Sequence, residues 1–361
     1  MARVLVGLSG GVDSSVAAAL LAEQGHEVVG AYMKNWINEA GVPGDCPWEE
    51  DLEDAAGVAA KLGIEFRVVD LIEQYRARIV DYLLEGYRSG VTPNPDVLCN
   101  REMKFGVFLD YALSQGFERV ATGHYARRRE RPDGTAEILR GTDPNKDQSY
   151  FLALMNQRQA KHALFPVGEL LKPQVRETAR RFALPTAEKK DSQGICFIGN
   201  VKMSEFLRHY VPDHPGEIVD LAGTVLGEHR GLHLYTLGQR KGHGVASPRE
   251  GMAYVVVAKD AAANRLIVGW DEPDTPGLYS RTCTVTSLSV VADPLVVNGA
   301  RDCEAQPRYR ARAEAAQVEA GNNFVKLKFL RPQRALTPGQ ICAFYEGGKL
   351  LGGGVFETVQ A

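Results

Sequence analysis

The chain has no apolar run approaching the roughly 20 residues that a helical membrane span requires, although 44% of its 361 residues are hydrophobic. A soluble protein with no membrane partner is expected. Its six cysteines, Cys46, Cys99, Cys196, Cys283, Cys303 and Cys342, are scattered and include no C-x-x-C pair. That spacing argues against a zinc ribbon, a cysteine-ligated iron–sulfur cluster and a structural disulfide framework. Two phosphate-binding signatures are also missing. There is no G-x-x-x-x-G-K-[ST] with its lysine, and no G-x-G-x-x-G of the dinucleotide type. No internal repeat or low-complexity tract occurs. Met1-Ala2-Arg3 leads straight into an apolar run, leaving no room for a signal peptide, so a cytoplasmic location is expected.

A strong charge of one sign is lacking too. The formal net charge is −3, which by itself argues against a polyanionic partner, but the distribution is uneven. Residues 39–54 hold seven acidic side chains and no Lys or Arg, whereas Arg127, Arg128, Arg129 and Arg131 cluster, and residues 281–361 carry ten Lys/Arg against seven Asp/Glu. Local basic patches are all that a folded RNA needs, and a solvated charged face explains the same pattern equally well.

What is present begins with Arg3-Val4-Leu5-Val6-Gly7-Leu8, then Ser9-Gly10-Gly11-Val12-Asp13-Ser14-Ser15, then an Ala/Leu run. This reads as strand, tight loop and helix. Gly10 and Gly11 let backbone N–H groups approach a ligand, and the helix start presents unpaired N–H groups and partial positive charge. An anion fits there. Asp13 would repel bare phosphate, which points to Mg²⁺ between carboxylate and phosphate.

Through residue 125 strands and helices alternate: strands at 27–33, 64–71 and 118–124, helices at 49–61 and 73–87. Short glycine-marked joints imply right-handed βαβ units, hence an α/β fold with a doubly wound parallel sheet. Ligands in such sheets sit beyond the C-terminal strand ends. Met33, at the end of the second strand, is placed to pack on an adenine or to fill the rim of the core. The segment Thr92-Pro93-Asn94-Pro95-Asp96-Val97-Leu98-Cys99-Asn100 runs into a helix, and a cysteine near a helix start has its thiolate favoured. Asp96 is placed for proton handling. Gly123 and His124 end a strand at the ligand-facing edge. Residues 127–140 form an expected hairpin, 146–154 a short helix and 173–182 another helix. A second cysteine, Cys196, lies in the basic, glycine-containing segment 189–198.

Beyond residue 205 short β-rich pieces replace the alternation, including 217–221, 224–226, 232–237, 254–258 and 265–270. Residues 271–277 read as a linker, and the strong alternation after them suggests a small β-barrel. Three domains are expected: 1–204 with the nucleotide loop, 205–276 as a central β-rich domain, and 277–361 as a C-terminal β-barrel.

Taken together in order, Gly7-Leu8-Ser9-Gly10-Gly11-Val12-Asp13-Ser14, Thr92 to Asn100, Ala121-Thr122-Gly123-His124-Tyr125, Lys146-Asp147-Gln148-Ser149-Tyr150 and Asp191 to Phe197 resemble the bacterial-type tRNA-specific 2-thiouridylases. These are PP-loop enzymes that cleave ATP to AMP and pyrophosphate, and the similarity runs essentially end to end. The resemblance implies exchange of sulfur for the C2 oxygen of the wobble uridine (position 34) of certain tRNAs. It implies ATP phosphates on Gly7 to Ser14, the nucleoside on Met33 and Gly123, and the target base on Asn94, Pro95 and Asp96. It implies tRNA contacts at His124, Lys146, Asp147, Gln148, Arg308, Tyr309 and Gln340. Cys99 would be the nucleophile and Cys196 the persulfide carrier, recharged by a sulfur-donor or relay protein. Two other readings are weighed beside it: another PP-loop adenylating enzyme, such as an amide-forming ligase or a tRNA lysidine synthetase, and a non-catalytic redox-sensing RNA-binding protein.

Overall fold

Val4 and Val6 point to one face of the first strand and Leu5 to the other, so both faces are apolar and both must be covered. The computed structural model, which describes residues 1–37, 47–190, 201, 203–247 and 251–360, shows how. Strands β1 (Arg3–Gly7), β2 (Glu27–Lys34), β3 (Glu65–Asp70), β4 (Arg119–Ala121) and β7 (Ala163–Leu164) form a parallel sheet in the order β3-β2-β1-β4-β7. One face is covered by α1 (Val12–Glu23), α2 (Trp48–Leu62) and α8 (Lys172–Arg181). Val16 to Ala19 of α1 are buried, because small side chains let the helix sit close to the sheet.

The opposite face is covered by two longer helical runs. The first joins α3 (Ile72–Tyr75), a π-helical turn (Arg76–Val80) and α4 (Asp81–Arg88), and the second joins α5 (Pro95–Cys99), a π-helical turn (Asn100–Val107) and α6 (Phe108–Ser114). Tyr75, Ile79, Leu83, Phe105, Phe108 and Leu109 fill that side. Each such side chain contributes about 1.5–3 kcal/mol on burial.

The remaining strands are β5 (Ala126–Glu130), β6 (Ala136–Arg140) and β8 to β17, with helices α7 (Gln157–His162) and α9 (Met203–Tyr210). Strands β8 (Gly216–Asp220), β9 (Val225–His229), β10 (Tyr254–Asp260) and β11 (Arg265–Trp270) make a four-stranded sheet around Tyr235, Val256 and Val268. Expected strand 232–237 is instead a 3₁₀ turn at Leu232–Leu234. Its leucines pack on that sheet from outside, and a short apolar run reads alike in both conformations.

Six strands, β12 (Tyr279–Val290), β13 (Ala300–Gln306), β14 (Glu314–Ala320), β15 (Val325–Arg334), β16 (Ile341–Glu346) and β17 (Lys349–Gln360), close into a barrel through β12–β17 pairing. The β5–β6 hairpin extends the barrel's sheet: Leu139 pairs with Lys349 and Ile138 with Leu350. The arginine run is held by neighbours within the fold. Arg129 and Arg131 hold the buried Glu137 carboxylate, Arg131 and Lys349 both hold Asp293, and Arg128 caps the carbonyls of Ala160 and Lys161. No helix among the described residues is long and apolar enough to cross a membrane.

Candidate active site

Chain order reverses between β1 and β4, and the loop leaving each strand lines the crevice there. After β1, Leu8 and Val12 point into the core while Ser9 is exposed. Gly10 takes φ +73°, and a Cβ on it would come within 2.5 Å of the Asp51 carbonyl of α2. The loop is laced from within: Ser14 Oγ accepts from Ser9 N (3.2 Å) and donates to Gly11 O (3.0 Å), and Ser15 Oγ also donates to Gly11 O (2.8 Å). Thr186 Oγ1 donates to Ser15 Oγ at 2.9 Å. Gly11 caps α1 with no side-chain hydrogen bond, so the first-turn N–H groups are presented to an anion.

Gly123 brings the other wall against this loop. A Cβ there would lie 2.5 Å from Ser14 N and 2.6 Å from the Asp13 carbonyl carbon. Met33 closes the side toward β2, its methyl resting over Gly7. Asp13 is not left to repel a phosphate: Lys172 Nζ binds its carboxylate at 2.8 and 3.0 Å, and Tyr125 donates to it at 2.7 Å. Lys172 thus offsets the Asp13 charge beside the loop.

Asn94 caps the Pro95–Cys99 helix by accepting from Val97 N at 3.2 Å. Burial pushes the Asp96 carboxyl above its ordinary value, and the Lys104 ammonium opposes that in part. A carboxyl shifted this way takes up a proton more readily, which suits proton handling. Cys99 is the fifth helical residue after Asn94, one turn past the strongest N-terminal field, and it is 3% exposed among Val97, Leu98 and Met103. Cys196 and Cys46 lie outside the described residues. Lys189, close before the Cys196 segment, is anchored to α2 by Asp51 (2.8 Å) and Asp54.

The expected tRNA contacts divide into two groups. His124 is buried between Phe105 and Phe165, with Nδ1 2.7 Å from Thr122 Oγ1. Burial and Lys104 hold its pKa well below the usual imidazole value, so it is neutral. Asp147 pairs with Arg140 at 2.9 Å and accepts from Gly141 N, and Gln148 Oε1 accepts from Tyr125 N at 3.0 Å. Gln340 donates to Thr92 O at 2.7 Å, fixing the start of the Asn94-Pro95-Asp96 turn. Tyr309 packs on Phe151 with ring centroids 4.3 Å apart, Arg310 covers Tyr309, and Lys146 N donates to Asp143 O at 3.1 Å.

Lys172, Thr186 and Lys104 are site residues that no motif singled out, and Tyr125 stood in a motif without a role of its own. Lys172 stands one residue before Pro173 at a helix start, and nothing local marks it as a partner of a loop 159 residues away.

Three family models match the chain: one described as tRNA methyl transferase HUP domain over residues 2–200, its PRC-barrel domain over 204–270, and an aminomethyltransferase beta-barrel domain over 280–356. A tRNA-specific 2-thiouridylase MnmA of Akkermansia muciniphila is 66% identical over 361 residues, covering 100% of both chains. The enzyme of the same name from Pseudomonas entomophila is 46% identical over 360 residues, covering 99% of this chain and 95% of that one.

Proposed function

The chain belongs to the tRNA-specific 2-thiouridylase family, and on that premise we propose how its residues carry out the reaction. It is an ATP-dependent tRNA-uridine 2-sulfurtransferase. The observation that carries the mechanism is the crevice itself, where the uncapped start of α1 and Gly123, which follows β4, meet at one end of the parallel sheet.

A uracil C2 carbonyl is amide-like, and its oxygen is a very poor leaving group. Adenylation solves this. The C2 oxygen of the wobble uridine attacks the α-phosphorus of ATP, the bond to the β-phosphate oxygen breaks, and pyrophosphate leaves. Loop N–H groups between Ser9 and Ser14 hold the phosphate oxygens as charge develops. Among the described residues no three acidic, histidine or cysteine side chains gather into a metal site, and Asp13 is the loop's one carboxylate. That donor set fits Mg²⁺ carried on the ATP phosphates with Asp13 as its protein ligand. When bound, the ion would offset charge on the departing pyrophosphate.

Sulfur from a Cys196 persulfide then adds at C2 and AMP leaves. Whether the terminal sulfur attacks C2 directly or Cys99 first releases it as hydrosulfide, Cys99 and Cys196 end as a disulfide. A dithiol reductant must supply two electrons, and a persulfide donor protein must recharge Cys196. Asp96 manages the proton at the base. Asn94 and Pro95 shape the pocket, while Lys146, Arg308 and Tyr309 meet the RNA. Anticodon-loop bases are partly unstacked already, which lowers the cost of entering the pocket. The enzyme works in the cytoplasm, where its tRNA substrate is.

The test uses Cys99→Ser and Cys196→Ser with ATP, Mg²⁺, a persulfide source and unmodified tRNA. Both variants should release pyrophosphate in a tRNA-dependent first turnover and transfer no sulfur. An amide-forming ligase or a lysidine synthetase needs neither thiol, so full activity in both variants would overturn the reading.

A further inference from the structure

The loop after β1 lacks the lysine that a nucleoside-triphosphate loop of the G-x-x-x-x-G-K-[ST] kind carries within itself. A lysine is nevertheless there. Lys172, the first residue of α8, reaches across to α1 and places its ammonium on both oxygens of Asp13, within the first turn of the helix whose N–H groups face the crevice. Its side chain is only 14% exposed. Its backbone is pinned as well: Lys172 N donates to Asp143 Oδ2 at 3.0 Å, and Gln174 Oε1 accepts from Leu171 N at 2.7 Å. The stem is therefore fixed at its base, while the ammonium is held by a carboxylate.

The geometry points to Lys172 as a phosphate-binding residue that is parked on Asp13 when ATP is absent and turns to the phosphates when ATP enters. This rests on the ATP-dependent reading above and adds a residue to it. Three features support the exchange. Tyr125 donates to Asp13 at 2.7 Å, so that carboxylate keeps one partner after Lys172 leaves. An ammonium on a flexible four-carbon stem shifts between neighbouring anions without backbone movement. Each state keeps the ammonium paired, which avoids an isolated charge in a half-buried site. In the parked state Lys172 offsets the Asp13 charge that would otherwise oppose an incoming triphosphate. In the bound state Asp13 is released to face the cation carried by the nucleotide.

The test is calorimetric titration of the full chain with ATP and, separately, with adenosine, which has no phosphate. Lys172→Gln should weaken ATP binding about tenfold or more and leave adenosine binding within about twofold, while Lys172→Arg restores part of the loss. In EDTA, Asp13→Asn removes the competing carboxylate and should tighten ATP binding, and Lys172→Gln added to it should abolish that gain. A Lys172→Gln protein that loses ATP and adenosine affinity alike, or that keeps both, would overturn the proposal. So would an Asp13→Asn protein that binds ATP in EDTA as weakly as Lys172→Gln does. If Lys172→Gln does not fold, Lys172→Arg decides: weakened ATP binding with unchanged adenosine binding supports the proposal, and equal effects on both, or none, overturn it. A wild-type chain that binds ATP through Lys172 yet leaves tRNA unthiolated would end the functional reading and leave this one standing.

Discussion

Replacing Gly123 with alanine probes the point where the two walls of the crevice meet. The added Cβ would stand 2.5 Å from Ser14 N, 2.6 Å from the Asp13 carbonyl carbon and 3.0 Å from Asp13 Cβ. Two of these are backbone atoms of α1, so no side-chain rotation relieves the clash. Ordinary contact is about 3.4–4 Å, so the end of β4 and the start of α1 must separate by about 1 Å. Overpacking of this kind costs about 1–3 kcal/mol, a drop of several degrees in Tm for a chain of this size. The larger effect falls on function, because an approximately 1 Å displacement in a reacting geometry costs up to about 10²-fold. Calorimetric titration with ATP beside thermal melting would measure both. Gly57→Ala is the matched control: in α2 its Cβ meets only Pro185 Cγ at 3.7 Å, so it should leave ATP affinity unchanged and gain up to about 1 kcal/mol of helix stability. A Gly123→Ala protein with wild-type ATP affinity would refute the account of how the crevice is built.

Asp96→Asn should lower sulfur transfer about 10²–10⁴-fold. Because burial raises the carboxyl in the fold, its stabilising effect is present below the unfolded value and is lost as pH rises through the folded value, so the variant should melt higher than wild type at neutral pH. Lys259, whose Nζ donates to Gly90 O at 3.3 Å, has its pKa lowered by burial to about 8. The fold therefore disfavours its charged form: stability is fully present above the unfolded value of 10.5 and falls as pH drops through about 8. Lys259→Met should accordingly stabilise the protein at pH 7 by up to about 3 kcal/mol and flatten the alkaline rise, as read from denaturant midpoints at several pH values. Gln340→Ala removes the donor to Thr92 O. It should cost about 1 kcal/mol and lower the rate of transfer while leaving ATP affinity unaltered, and a lowered ATP affinity would count against a role confined to the Asn94-Pro95-Asp96 turn.

The parallel sheet and its loop were legible because each is local. Val4, Leu5 and Val6 alternate, Gly10 and Gly11 break the chain, and the alanines of α1 announce a closely packed helix. The barrel was legible from alternation such as Val325 to Phe329, whose odd-numbered members are buried. What stayed hidden depends on pairs far apart in sequence. Nothing near Asp13 indicates that Lys172, 159 residues away, will neutralise it. Nothing in Arg127 to Arg131 indicates that Asp293 and the Ala160 carbonyl will absorb charge, because Asp293 comes from the barrel and Ala160 from α7, whereas Glu137 stands opposite Arg129 across the local β5–β6 hairpin. The place of His124 at a strand end does not reveal that Phe105 and Phe165 enclose it.

The measurement that bears most directly on the whole account is mass analysis of nucleosides from unmodified tRNA after incubation with the protein, ATP, Mg²⁺ and a persulfide source. The account predicts one oxygen replaced by sulfur in the wobble uridine, with one AMP and one pyrophosphate formed per sulfur. Recovery of AMP and pyrophosphate beside tRNA whose uridines all keep their oxygen would contradict it.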